Sequence, residues 1–169
     1  MKRKETYNIF VVEDSDVYRT ILMEALGRAN DNDSQYVLYP FSSGEDCIND
    51  LHISPDVVVL DYHLNGNGYE SNMNGLMLLR KMKQLWPNVE AIVLSCQKDV
   101  SIVKEFVRSG INRYVKKDGP GSATKVKDLV GNIIHAKMVH QRRFRKYATL
   151  LILAVITVCA AFAWTFLTK

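Results

Sequence analysis

Three carboxylates, one hydroxyl and one amine are spaced along this chain so that a single fold can bring them together. Glu13 and Asp14 end one apolar run, Asp61 ends a second, Ser95 a third, and Lys117 follows a fourth. Carboxylates crowded into one place repel one another, and a bound cation relieves that repulsion. Oxygen-only donors with room for water suit Mg²⁺. Such an ion lowers the charge on an incoming phosphoryl group enough for a carboxylate to attack it. Asp61 closes the most continuously apolar run, Val57-Val58-Val59-Leu60, which makes it the natural nucleophile. Lys117 would supply a fixed positive charge, and Ser95 a hydroxyl donor for a phosphoryl oxygen. Singly, each has a plainer explanation as a strand exit, a turn or a surface charge. The inference rests on all five together.

The elements that would position them alternate regularly. Tyr7–Val12, Tyr36–Phe41, Asp56–Leu60, Ala91–Leu94 and Arg113–Val115 read as strands. Between them lie helical patterns. Asp16 is the expected cap of the first, whose apolar positions Val17, Ile21, Leu22, Ala25 and Leu26 share one face. Ser43–Leu51 is a short helix. Asn74–Trp86 is a longer one, with Leu76, Leu79 and Met82 inward and Pro87 as its stop. Asp99 caps Val100–Ser109, Gly110 ends it, and a fifth helix starts near Ala123. Five βα units imply one parallel sheet covered by helices on both faces. In such sheets, sites form beyond the carboxyl ends of the strands, where all five groups lie. The loop Tyr62–Met73 is long for a βα connection and reads as a surface insertion or a partner-recognition loop.

The segments VVEDSDVYR, VVVLDYHL, IVLSCQ and SGINRYVKKD resemble, in order and spacing, the four signature segments of response-regulator receiver domains. The resemblance covers about residues 6–136. It implies a flavodoxin-like (βα)5 doubly wound α/β fold with strand order 2-1-3-4-5. It implies that Asp61 is the phosphoacceptor, with Glu13, Asp14, Asp61 and the backbone carbonyl of His63 around Mg²⁺. Ser95 and Tyr114 match the hydroxyl and aromatic pair that switch on phosphorylation, and Lys117 matches the lysine of the site. His63 and Gln97 stand at positions that tune autodephosphorylation. Three departures stand out. Asn65 replaces a frequent proline, Asp118 replaces the proline after the lysine, and the usual glycine is Gly75, displaced by the insertion.

Charge divides the chain. Residues 1–136 carry 16 basic and 18 acidic residues, net −2, whereas 137–169 carry 6 basic and none acidic, net +6. Three cysteines without framework spacing argue against a disulfide scaffold, and no Cys/His cluster suggests zinc. Residues 147–167, YATLLILAVITVCAAFAWTFL, contain no charge. At about 1.5 Å each they reach about 31 Å, which leads one to expect a C-terminal transmembrane helix. The basic segment 137–146 precedes it, and only Lys169 follows. That asymmetry places the receiver in the cytoplasm, tail-anchored to the inner membrane, with anionic lipids near the basic segment. A nucleic-acid arm is disfavoured, since this stretch lacks a recognition fold.

The expected organisation is thus a receiver at 6–136, a juxtamembrane segment at 137–146 and a span at 147–167. The expected function is phosphorylation on Asp61 by a histidine kinase or phosphotransfer protein. Output would pass through contact with an unidentified protein or a homodimer. No enzymatic activity is expected beyond self-phosphorylation and autodephosphorylation. The rival reading is a membrane-tethered docking or scaffold module indifferent to phosphate. A metabolite hydrolase is disfavoured, because His63 stands where its second aspartate belongs.

Overall fold

The structure, a computed structural model, describes residues 4–29, 33–50, 52–64, 73–96, 108, 110–111, 113–119 and 121–167. Of residues 161, 162 and 165–167 it describes the backbone alone. The described strands are β1 (Glu5–Val12), β2 (Ser34–Phe41), β3 (Val57–Asp61), β4 (Glu90–Ser95) and β5 (Tyr114–Lys116). The described helices are α1 (Asp16–Gly27), α2 (Gly44–Asn49), α3 (Gly75–Leu85) and α4 (Gly121–Leu167). The expected helix Val100–Ser109, Gln97 and most of the Tyr62–Met73 loop lie outside the described residues.

The strands form one parallel sheet in the order β2-β1-β3-β4-β5, as the alternation of runs implied. β3 is buried along its whole length, because a central parallel strand meets side chains on both faces. Each Val or Leu so buried contributes about 1.5–3 kcal/mol. Phe10, Val12, Val58 and Leu60 join Leu76, Leu79 and Met82 of α3 in one core cluster, so α3 presents the face its spacing predicted.

α1 differs from expectation in two ways. Its cap is Ser15, whose side chain accepts a hydrogen bond from the Tyr18 amide, whereas Asp16 is the first helical residue and pairs with Arg19. Ser15 has the extended backbone that capping requires. Of the apolar stripe, Leu22 and Leu26 are buried, but Val17 is 72% and Ile21 44% exposed. The stripe is wider than the strip of sheet that α1 covers. Gly110 has φ 74°, the left-handed conformation that suits a helix-ending glycine.

Residues Met1–Ile133 form one compact unit and Ile134–Lys169 a second. Among the described residues, no helix is long and apolar enough to cross a membrane. The transmembrane helix expected at 147–167 is therefore not borne out.

Candidate functional site

Strand register brings the site together. Val12 of β1 pairs with Leu60 of β3, so the next residues, Glu13 and Asp61, emerge side by side. Asp61 pairs with Leu94 of β4, and Ser95 with Lys116 of β5, which sets Ser95 and Lys117 at the same edge. The sheet order also reverses between β1 and β3, where open parallel sheets form their crevice.

Backbone contacts hold these residues in place. The Glu13 amide donates to the Phe41 carbonyl at 3.0 Å, and the Glu13 carbonyl accepts from Arg19 Nη1 at 2.6 Å. Glu13 Oε1 accepts from the Ser15 amide at 3.2 Å. Asp61 Oδ1 accepts from the His63 amide at 3.2 Å. The Lys117 amide donates to the Ser95 carbonyl at 2.9 Å. Gly75, at the start of α3, explains why a glycine stands there. A Cβ would lie 2.2 Å from the Asp61 carbonyl oxygen. The insertion before it therefore leaves the glycine pressed against the strand end.

Lys117 is the electrostatic centre. Its Nζ lies 2.6 Å from Asp61 Oδ2 and 2.5 Å from Glu13 Oε2, and all three side chains are nearly inaccessible. Burial, then the charge of Asp61, pushes the Glu13 carboxyl up to about 7 against the pull of Lys117. Burial also raises Asp61, with Lys117 opposing. Burial alone would lower Lys117, but its bonds to Asp61 and Glu13 outweigh that and hold it above the usual lysine range. Asp14 completes an acidic trio in which one oxygen from each residue lies within 4.8 Å of the others.

The trio fits a hard cation. Its donors are all oxygen, as Mg²⁺ prefers. Glu13 Oε2 is buried and meets the Lys117 ammonium at 2.5 Å, the same ammonium that Asp61 Oδ2 meets. One ammonium among three clustered carboxylates leaves negative charge that a further cation would offset.

The model of the response regulator receiver domain matches residues 9–126. The chain belongs to the response regulator receiver family. The receiver is 30% identical over 107 residues to the transcriptional regulatory protein DegU of Brevibacillus brevis, covering 59% of this chain and 43% of that protein. It therefore spans under half of that relative. The BeF3-activated receiver domain of DrrB is similar at a TM-score of 0.63 and 24% identity, covering 78% of this chain and 99% of that one. The signal receiver domain of an HD domain-containing protein from Pseudomonas fluorescens is similar at 0.65 and 19%, covering 80% and 99%. At these identities the structural likenesses show the fold.

The other residues that the resemblance singled out fall as follows. Ser95 is fully buried at the end of β4, and Tyr114 is half-buried in β5 against the core cluster. The His63 ring meets Tyr62 edge-on at 4.6 Å, and its Nε2 is buried without a hydrogen bond among the described residues. Arg19, Tyr18 and Ser122 did not stand out from the sequence. Arg19 and Tyr18 follow Asp14 by five and four residues, the reach of one helical turn beyond the cap. Ser122 carried no comparable signal.

Proposed function

We propose that this receiver takes a phosphoryl group onto Asp61 from a histidine kinase or phosphotransfer protein and passes the signal on by protein contact. One observation carries the reading: the Asp61 carboxylate is buried at a strand end, bonded to Lys117 and set within an acidic trio. An Asp61 oxygen attacks phosphorus as the P–N bond of a phosphohistidine breaks. The aspartyl phosphate forms, and the leaving imidazole takes up a proton. Lys117, freed from one carboxylate oxygen, meets the phosphoryl charge. Glu13, Asp14, Asp61 and the His63 carbonyl would hold Mg²⁺, which when bound neutralises charge between carboxylate and phosphoryl group. Ser95 would then donate to a phosphoryl oxygen and Tyr114 follow it inward, while His63 and Gln97 set the lifetime by controlling water. No other catalysis is proposed for the chain.

Attachment to the inner membrane through 147–167, with the receiver on the cytoplasmic side, belongs to the same proposal. Two features support it. The stretch has no charge, and the apolar side chains from Leu150 to Leu153 lie bare. Leu150, Leu151, Ile152 and Leu153 are 62, 67, 59 and 54% exposed, and four consecutive residues at about 100° steps surround the axis. A helix lying on a surface would bare one side only.

The test is full-length protein in detergent with Mg²⁺ and acetyl phosphate. Phosphate should appear on Asp61 as a base-labile acyl phosphate, and Asp61→Asn should abolish it. Labelling that survives Asp61→Asn, or none at all, would favour the phosphate-indifferent scaffold.

A further inference from the structure

Lys117 has one more neighbour, and it carries no charge. The ring of Tyr18 faces the ammonium with its centroid 4.7 Å from Nζ, within the range of a cation–π contact. Tyr18 sits in the first turn of α1, and its hydroxyl lies 2.6 Å from Ser122 Oγ, more than a hundred residues away at the start of α4. Ser122 is fully buried and donates its only hydroxyl proton to the Gly119 carbonyl at 2.7 Å. Tyr18 must therefore be the donor in the bond it shares with Ser122. The Ser122 amide also donates to that carbonyl, at 3.1 Å. Gly119 has φ 135°, a conformation that favours glycine, so the turn that offers this carbonyl is itself specified.

Packing alone does not hold the ring. Tyr18 borders a cleft of about 490 Å³ that is also lined by Ile21, Cys96, Lys117 and Ala123. Free space on one flank would let a tyrosine turn away. The chain of hydrogen bonds from Tyr18 through Ser122 to Gly119 keeps it facing Lys117. Burial pushes the phenol above its ordinary range, so it stays protonated and remains a donor.

We infer that Tyr18 is a positioning residue for Lys117, its ring held against the ammonium by the clasp with Ser122. The ring gives the cation a neighbour that does not compete for its charge as the carboxylates do. Lys117 can then exchange Asp61 for a phosphoryl oxygen without leaving the site. The consequence for phosphorylation rests on Asp61 being the phosphoacceptor. The placement of Lys117 does not.

The experiment uses the full chain in detergent, with circular dichroism confirming that each variant is folded. Without phosphodonor, the rate at which an amine-reactive acetylating ester modifies Lys117 is read by peptide mass spectrometry against exposed Lys81. Tyr18→Leu should speed modification of Lys117 about tenfold. Tyr18→Phe and Ser122→Ala should each raise it a few-fold, and the double variant no further than either, because both break one clasp. With acetyl phosphate, Tyr18→Leu should lower the maximal phosphorylation rate about tenfold at an unchanged half-saturating concentration, and Tyr18→Phe should restore most of it. Unchanged Lys117 reactivity in folded Tyr18→Leu would overturn the inference, as would additive effects of Tyr18→Phe and Ser122→Ala. Should Tyr18→Leu not fold, the two milder variants and their combination decide alone. Absence of phosphorylation in the unsubstituted protein would remove the reading of Asp61, while Lys117 modification still decides the role of Tyr18.

Discussion

Glu13 stands between a cation that favours its charge and a carboxylate and burial that oppose it, and the opposition wins. Its folded pKa, about 7, lies above the ordinary 4.5 of a free carboxyl. The native state therefore binds the proton more tightly than the unfolded chain does. The stabilisation is complete below about pH 4.5 and is lost as pH rises through about 7. Asp61, also raised and first of all by burial, acts in the same direction. Without metal, Glu13→Gln should match the unsubstituted protein in thermal midpoint near pH 5 and exceed it at pH 8. The gap should be about 3 kcal/mol at most, since each pKa unit is about 1.4 kcal/mol. Mg²⁺ should narrow it by binding the ionised form. A difference that stays flat from pH 5 to 8 would show that Lys117 already compensates Glu13 in full.

At the scale of elements, the site depends on how closely α3 approaches the end of β3. The Gly75 amide donates to the Tyr62 carbonyl at 3.0 Å, and Asn74 caps the helix by accepting from the Met77 amide. A methyl group at Gly75 meets backbone, the Asp61 carbonyl at 2.2 Å and Tyr62 Cα at 3.1 Å, and backbone does not yield cheaply. Gly75→Ala should cost about 1–3 kcal/mol, the usual range for overpacking. It should also lower Asp61 phosphorylation by more than the loss of folded protein explains, because the displaced atom belongs to the proposed phosphoacceptor itself. Urea midpoints and labelling of the folded fraction measure the two effects separately. A variant of unchanged stability would mean that the strand end gives way.

For the whole molecule, the question is what meets the apolar side chains of 147–167. Large side chains from Leu150 to Val158 and again at Trp164 are more than half exposed, an arrangement that water disfavours and lipid tails accept. Full-length protein should float with phospholipid vesicles and stay there in high salt and carbonate. Protein truncated after Ala136 should not float. Ile156→Lys, near the middle of the uncharged stretch, should weaken insertion by about 3 kcal/mol, a loss of over a hundredfold in partitioning. Release of the full chain by salt alone would leave only attraction between the basic segment and anionic headgroups.

The sequence by itself determined the sheet and which polar residues meet at its edge. A central parallel strand must be apolar on both faces, so Val57–Leu60 was readable as β3 and Asp61 as its polar end. Strand ends on one edge then followed from the topology, which brought Glu13, Asp14, Ser95 and Lys117 to the same crevice. Local pattern was less decisive wherever two residues could serve equally. Ser15 and Asp16 both suit a cap, and the turn of the chain out of β1 selected Ser15. Val17 and Ile21 fit an inward stripe, yet exposure depends on how much sheet lies beneath the helix, which periodicity does not encode. The tertiary structure alone decided that Lys117 bridges Glu13 and Asp61 together, and that Tyr18 reaches Ser122. These contacts join residues 56 and 104 or more positions apart, where no sequence spacing carries information and only the packed distance does.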